Sequence, residues 1–78
     1  LREECRFSNG TQRVRLLARW FFGRQELSYF DSDRGMFVAV AELGEPEVKR
    51  ANQDKDILRR AMADVDVFCR NNYGIFDP

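Results

Sequence analysis

Histidine is absent from these 78 residues, and cysteine occurs only twice, as Cys5 and Cys69. A structural zinc site uses four Cys or His ligands, so most zinc arrangements are excluded. The most frequent general base of enzymes is missing as well. Neither a nucleophile-elbow motif nor a glycine-rich phosphate loop occurs. The sequence therefore predicts a protein that is not an enzyme and that uses no metal and no cofactor.

Excess charge and long apolar runs are also lacking. The 13 basic and 13 acidic residues cancel, and the basic ones form no block, which argues against a nucleic-acid partner. The sequence contains no run of 18 or more apolar residues, which a membrane-spanning helix would need. No signal peptide is visible before the opening LREEC. We expect a mature fragment that forms a single domain, residues 1–78. A domain this small needs a covalent staple or a partner to be stable.

The two cysteines admit two interpretations. They form a disulfide that joins the two ends of the domain, or they are unrelated buried thiols of a cytosolic protein. Asn9-Gly10-Thr11 is an N-glycosylation sequon, which favours an oxidising compartment and hence the disulfide. Asn-Gly is also a strong hairpin-turn dipeptide, so a plain turn is the alternative for this segment.

Residue patterning predicts a sheet followed by a helix. Strands are expected at 2–8, 12–22, 26–30 and 36–43, separated by short turns, as an antiparallel meander. The second strand alternates with period 2, with Val14, Leu16, Ala18 and Trp20 on one face.

The second half of the chain has a helical period. Pro46 and its acidic neighbours suit a helix start, and a break is expected near residues 49–53. Two stripes then follow at helical spacing: Leu58, Met62, Val65 and Cys69 in one, and Ile57, Ala61, Asp64 and Phe68 in the other. One of these stripes must lie on the sheet.

One helix covers only part of a four-stranded sheet. The uncovered part, with Leu16, Ala18, Trp20 and Leu27 as candidates, requires another subunit, a ligand, or both. The predicted fold class is thus α+β, with a long kinked helix packed across one face of the sheet.

Four segments together resemble the membrane-distal first domain of the class II major histocompatibility (MHC) β chain. They are ECRFSNGTQRVRLL at 4–17, RWFFGRQEL at 19–27, FDSDRGMFVAVAELGEPE at 30–47 and KDILRRAMADVDVFCRNNYG at 55–74. The resemblance covers the full chain and needs no insertion or deletion between the cysteines. It implies that the immunoglobulin-like and membrane-anchoring parts of such a chain lie outside these residues.

The resemblance implies a function and partners. In that family an α chain supplies a matching half-platform, and a peptide lies between two helical walls and is presented to T-cell receptors. It implies a Cys5–Cys69 disulfide and a glycan on Asn9. It also implies that the full-length chain resides at the cell surface and in endosomal and lysosomal membranes.

Peptide main-chain contacts are carried over at the end of the chain. Asn72 matches a family asparagine that makes two hydrogen bonds to the peptide backbone, which a carboxamide can do with one acceptor and two donors. Asn71 stands where the family usually has histidine. Ala51 stands where the family usually has tryptophan and cannot donate a hydrogen bond, which leaves space in the groove.

Pocket positions are carried over as well. Ile75 and Phe76 are expected beside the first anchor pocket, where the phenyl ring of Phe76 would replace a small residue. Leu27 and Glu47 are expected at the last anchor pocket, with Glu47 facing an arginine of the α chain. The central pocket is expected to be lined by Glu3, Leu16, Arg60, Ala61, Asp64 and Phe68, and the floor and wall beyond it by Ala18, Trp20, Phe37 and Ile57.

Two functions therefore remain open. The chain forms half of an antigen-presenting groove, or it is a specialised class II β chain with a narrow ligand set or without peptide binding. The departures at Ala51, Asn71 and Phe76 motivate the second possibility. For the apolar pocket residues, a plain core role is the alternative.

Overall fold

A computed structural model of the chain describes residues 1–8 and 13–70. Four strands form one antiparallel sheet in the order β1-β2-β3-β4, which confirms the predicted meander. The strands are β1 Arg2–Ser8, β2 Arg13–Phe22, β3 Gln25–Asp31 and β4 Met36–Ala39. Glycines with positive φ lie in two of the turns, Gly23 at 63° and Gly35 at 68°, a conformation that a side chain disfavours.

The predicted fourth strand, residues 36–43, is too long. It ends at Ala39, and the chain then enters a short 3-10 turn at Glu42–Gly44. The cause is local hydrogen bonding, because the backbone N–H groups of Val40 and Ala41 both donate to the carbonyl of Leu27, at 2.9 and 3.2 Å. Two donors that converge on one carbonyl cannot continue a regular ladder.

The helical half consists of three consecutive segments. They are α1 Glu45–Gln53, α2 Lys55–Asp64 and a π-helical segment, Val65–Arg70. Pro46 lies in the first turn of α1 with Glu45 and Glu47 beside it, as predicted. The break falls at Asp54, one residue after the expected stretch. Asp54 has an extended backbone, and its carboxylate caps α2 by accepting from the N–H groups of Asp56 and Ile57 at 2.9 and 3.4 Å.

The helical half contacts the sheet at its two ends. The first segment, α1, packs on β4, whereas the π-helical segment packs on β2. Between these contacts α2 buries none of its residues completely. One of two helical stripes was predicted to lie on the sheet, and the stripe that contains Met62 does not do so over its whole length, since this residue is 42% exposed. Of that stripe only Val65 and Cys69 are buried, because the π-helical segment rather than α2 approaches the sheet.

A disulfide joins Cys5 in β1 to Cys69 in the π-helical segment, with Cα atoms 5.5 Å apart. Cys69, Val65 and Leu16 are buried together beneath it, and Cys5, Val14 and Phe68 pack against them. The bridge closes a sequence separation of 64 residues. On the chain-entropy model a loop of this length contributes about 4 kcal/mol of stability.

The other face of the sheet is covered by ion pairs rather than by a helix. Arg19 bridges Glu4 on β1 and Glu26 on β3, with N–O distances of 2.8 and 2.9 Å. The hydrogen bond from Arg19 holds the pKa of the Glu4 carboxyl below its ordinary value. These pairs tie three strands together on the outer face.

Asp31 is the centre of the second ion-pair group. Its side chain is 1% exposed and accepts from Arg15 at two positions, Nε at 3.0 Å and Nη2 at 2.6 Å. It also accepts from the backbone N–H of Asp33 at 3.0 Å. The Arg15 hydrogen bonds, aided by the Asp33 N–H, hold the pKa of Asp31 below its ordinary value although burial opposes this.

Candidate functional site

A pocket of ≈ 290 Å³ opens between α1 and the sheet. We call it the Ala51 pocket. Its lining comes from three strands, the 3-10 turn, α1 and the backbone that joins them. The lining residues are Trp20, Leu27, Ser28, Phe37, Leu43, Gly44, Glu47, Val48 and Ala51.

Aromatic rings form the floor of the pocket. Trp20 and Phe37 have ring centroids 5.7 Å apart at an interplanar angle of 48°, and Phe37 and Phe30 have centroids 5.0 Å apart at 57°. Tilted contacts of this kind are favourable because the positive edge of one ring meets the negative face of the next. Phe30 is fully buried, whereas Trp20, which lines the pocket, remains 36% exposed. The floor is thus rigid but accessible.

A β-bulge shapes the end wall. The pairing of β2 with β3 shifts between Trp20 and Phe21, so that Trp20 is opposite Ser28 while Phe21 is opposite Glu26. Leu27 is left without a partner in this register. Its carbonyl is free to accept from the segment after β4, and its side chain joins Ser28 in the pocket lining.

Gly44 allows the 3-10 turn to approach this bulge. A Cβ atom at Gly44 would overlap the carbonyl oxygen of Leu27. The backbone of the turn therefore packs directly on the backbone of β3. Any larger residue at this position would push the end wall of the pocket away from the sheet.

Asn52 fixes α1 to the edge strand, and sequence reasoning missed it. Its Oδ1 accepts from the backbone N–H of Phe37 at 2.8 Å, and its Nδ2 donates to the carbonyl of Phe37 at 3.0 Å. A carboxamide is suited to bind the backbone N–H and the carbonyl of one residue at once, because it offers both an acceptor and a donor. Asparagine has a poor helix propensity, but its presence in a helix does not by itself point to a contact with a neighbouring strand.

The rim of the pocket carries one acid. Glu47 accepts from Arg50 Nη2 at 2.6 Å, one turn along α1, and both side chains are largely exposed. The resemblance predicted that Glu47 faces an arginine of the α chain. Within the described residues its carboxylate is paired with an arginine of its own helix.

The structure brings some of the predicted pocket residues together. Trp20, Leu27, Phe37, Glu47 and Ala51 all line the Ala51 pocket. The resemblance had assigned Trp20 and Phe37 to the floor, and Leu27 and Glu47 to the last anchor pocket. It had assigned Ala51 to a position where the family usually has tryptophan. In the structure all five residues line the same pocket. Their predicted contacts with a peptide stay predictions.

The predicted central pocket residues, and Ala18 and Ile57 of the predicted floor and wall, are not part of the Ala51 pocket lining. Leu16 is 1% exposed, and Phe68 packs against the cluster formed by Leu16, Val65 and Cys69. Ala18 is buried in β2. Glu3, Ile57 and Ala61 are half-buried, and Arg60 and Asp64 are exposed. Leu16 and Ala18 are thus buried within this chain, and the predicted contacts of this group with a peptide stay predictions.

Five predicted site residues lie outside the described part of the chain: Asn9, Asn71, Asn72, Ile75 and Phe76. Within the described part no group of three or more acidic, cysteine or histidine side chains could hold a metal ion. The helical segments formed by residues 45–53, 55–64 and 65–70 include none long and apolar enough to cross a bilayer.

The fold defines a class of protein, a platform domain in which helical segments lie over one face of a four-stranded antiparallel sheet. Residues 1–77 match the sequence model of the class II histocompatibility antigen, beta domain. The chain therefore belongs to the class II histocompatibility antigen β-chain family, and the predicted resemblance is confirmed.

Individual relatives agree with this assignment. The chain is 51% identical over 76 residues to the human HLA class II histocompatibility antigen, DRB1 beta chain, with 97% of this chain and 29% of that protein covered. It is 50% identical over 74 residues to the mouse H-2 class II histocompatibility antigen, E-D beta chain, with coverage of 95% and 28%. A chicken class II histocompatibility antigen, B-L beta chain, is 48% identical over 75 residues, with coverage of 96% and 32%. The chain thus spans about a third or less of these relatives.

Proposed function

We propose that this chain forms one half of a peptide-binding groove, pairs with a class II α chain and presents peptides to T-cell receptors. The observation that carries the proposal is the Ala51 pocket, because an accessible aromatic floor under a helix is a binding surface rather than a core. Such a function needs binding and no catalysis.

The edge of the sheet supports pairing with an α chain. Among residues 1–8 and 13–70, β1 has a neighbouring strand on one side only, and it is an edge strand of seven residues. A long edge strand is a template for pairing with another chain. Pairing here would continue the sheet on the side of the disulfide and would place a second helix opposite the one described.

The remaining site residues have proposed roles in the same groove. Asn72 binds the peptide main chain with two hydrogen bonds, and Asn71 donates a further one with a shorter reach than histidine. Phe76, with Ile75 beside it, narrows the first anchor pocket. Asn9 carries a glycan, and the full-length chain resides at the cell surface and in endosomal membranes.

A second candidate function is favoured by one specific observation. Ala51 leaves the pocket open at a point where a larger side chain would both fill space and donate a hydrogen bond. A chain with this departure would hold a narrow ligand set, or would act like a peptide-exchange chaperone without a ligand of its own.

Ligand elution distinguishes the two candidates. The full-length chain is co-expressed with the class II α chain of its source organism, and bound material is eluted from the purified heterodimer and sequenced by mass spectrometry. We expect nested sets of peptides that share a core. A stable heterodimer that yields no peptide would overturn presentation in favour of the chaperone-like alternative.

Glycosylation can be measured on the same material. Enzymatic removal of N-linked glycans should lower the mass of the β chain by that of one glycan. An unchanged mass of protein from a glycosylating host would refute the use of Asn9.

A further inference from the structure

We propose that the Ala51 pocket accepts one uncharged aromatic side chain of the bound peptide, and that Ala51 is the residue that determines this specificity. The inference rests on the proposed peptide binding and names the ligand chemistry of one part of the groove. It follows from the size, the floor and the charge of the pocket.

Size limits the occupant to one large side chain. At ≈ 290 Å³ the pocket is at the lower end of the range of about 300–1,000 Å³ that is typical of sites for whole small molecules. Ala51 contributes only a methyl group to its wall. A bulky residue at position 51 would project into the same space that the ligand side chain needs.

The floor favours a ring over an aliphatic chain. Trp20 and Phe37 already meet at an angle of 48°, and Trp20 keeps 36% of its surface exposed. An incoming ring can extend this row in the tilted or offset arrangement that aromatic pairs prefer. Leu27, Leu43 and Val48 supply aliphatic walls around it.

Charge at the rim disfavours ionised side chains. Glu47 is the one ionisable residue among those that line the pocket, and Arg50 already holds its carboxylate at 2.6 Å. An acidic ligand side chain would meet a carboxylate, and a basic one would have to displace Arg50. Burial of a charge without a partner is costly, so an uncharged group is favoured.

This chain supplies both the floor and one wall of the pocket. Every lining residue of the pocket belongs to β2, β3, β4, the 3-10 turn or α1. Asn52 and Gly44 fix the distance between the helical wall and the floor.

A positional-scanning peptide library tests the proposal on the purified αβ heterodimer. One position at a time is fixed as Trp, Phe, Ala, Asp or Lys, and each pool competes with a fluorescent library of random sequence. We expect one position at which Trp and Phe improve binding by about tenfold over Ala, while Asp and Lys give no improvement. The heterodimer with Ala51→Trp should lose this aromatic preference and bind Ala-fixed pools at least as well as the unsubstituted protein.

Ala63→Trp is the matched control, because Ala63 is exposed on α2 and lies outside the pocket lining. This variant should keep the aromatic preference. If Ala51→Trp does not assemble, Ala51→Leu reports the same effect with a smaller side chain.

The possible outcomes test the aromatic preference separately from the proposed presentation of peptides. Binding of peptides without an aromatic preference at any position, or a preference that survives Ala51→Trp, would overturn the inference and leave presentation standing. Failure of every pool and of the random library to bind a folded heterodimer would overturn the proposed function and this inference with it.

Discussion

The two ends of the helix-covered face differ in how the helix meets the sheet. At one end the π-helical segment lies on β2, and Leu16, Val65 and Cys69 are sealed under a disulfide. At the other end α1 lies on β4, yet Trp20, Phe37 and Leu27 remain open in a pocket. We call these the closed end and the open end.

The difference lies in what separates helix from sheet. At the closed end a covalent bond brings a helical residue within 5.5 Å, Cα to Cα, of a strand residue. At the open end the hydrogen bonds of Asn52 hold α1 to the strand edge, and Ala51 leaves space beside it. One end thus supplies stability, and the other leaves apolar surface exposed, which forgoes the stability that its burial would contribute.

The largest expected effect comes from opening the closed end. Replacement of Cys5 and Cys69 together by alanine should lower the free energy of unfolding by about 4 kcal/mol, because a loop closed across 64 residues is released. Urea unfolding of the purified heterodimer, with and without the two substitutions, measures this change in the free energy of unfolding. A loss below about 1 kcal/mol would mean that noncovalent packing of Leu16 and Val65 closes this end.

The closed end can also be weakened from the outer face of the sheet. Asp31→Asn keeps the size of the side chain but removes the charge that Arg15 contacts, and it should cost about 2 kcal/mol at neutral pH. Because folding lowers the pKa of Asp31, its contribution is present above the unfolded pKa of about 3.9 and is lost as pH falls through the folded value.

The dependence of protein stability on pH provides a control for this prediction. Stability of the unsubstituted protein should fall more steeply below about pH 4 than that of Asp31→Asn, as measured by thermal unfolding from pH 7 to pH 3. The control variant Asp56→Asn, at an exposed position on α2, should lose stability below about pH 4 as steeply as the unsubstituted protein does. Parallel curves for Asp31→Asn and the unsubstituted protein would contradict the assignment.

A smaller loss is expected at the open end from Asn52→Ala. The substitution removes both hydrogen bonds to Phe37 and should cost about 1–2 kcal/mol. The loss is smaller than for the disulfide because the N–H and the carbonyl of Phe37 can bind water at the strand edge instead. The substitution should also reduce the preference for aromatic peptide side chains, since α1 is no longer fixed over the floor. Gln53→Ala, the exposed neighbour, is the control. Equal effects of the two substitutions would exclude a clamp role for Asn52.

The sequence predicted the strands, the turns and the helix start because each depends on local chemistry. Period-2 alternation in residues 12–22 and the acidic, proline-marked start of α1 were sufficient. Features that depend on contacts between distant segments were missed. The fourth strand ends early because two N–H groups converge on Leu27, and the helical stripe fails at Met62 because the π-helical segment, not α2, meets the sheet.

The candidate site shows the same division. Strand patterning offered Trp20 and Leu27 as residues of an uncovered sheet face, but Phe37, Glu47 and Ala51 were assigned by family resemblance alone. No residue pattern places residues from three strands and a helix around one pocket. Even the resemblance gave no role to Asn52 or Gly44, whose importance lies in backbone contacts. An asparagine inside a helix and a glycine before one are common enough in sequences that neither signals a wall of a binding site.

The smallest effect on stability, and the sharpest test of the open end, comes from Arg50→Ala. The Glu47–Arg50 pair is exposed, so its loss should shift the melting temperature by less than about 2 °C. The substitution nevertheless leaves an unpaired carboxylate at the rim of the Ala51 pocket, where it can attract a cation. Lys-fixed peptide pools should then gain at the position that previously preferred Trp, by about threefold to tenfold at low salt and less at high salt. Arg59→Ala, which removes an equally exposed arginine on α2, should change neither measurement. An unchanged ranking of Lys and Trp would show that Glu47 does not act on the occupant, and the preference of the pocket would then rest on its aromatic floor and on Ala51 alone.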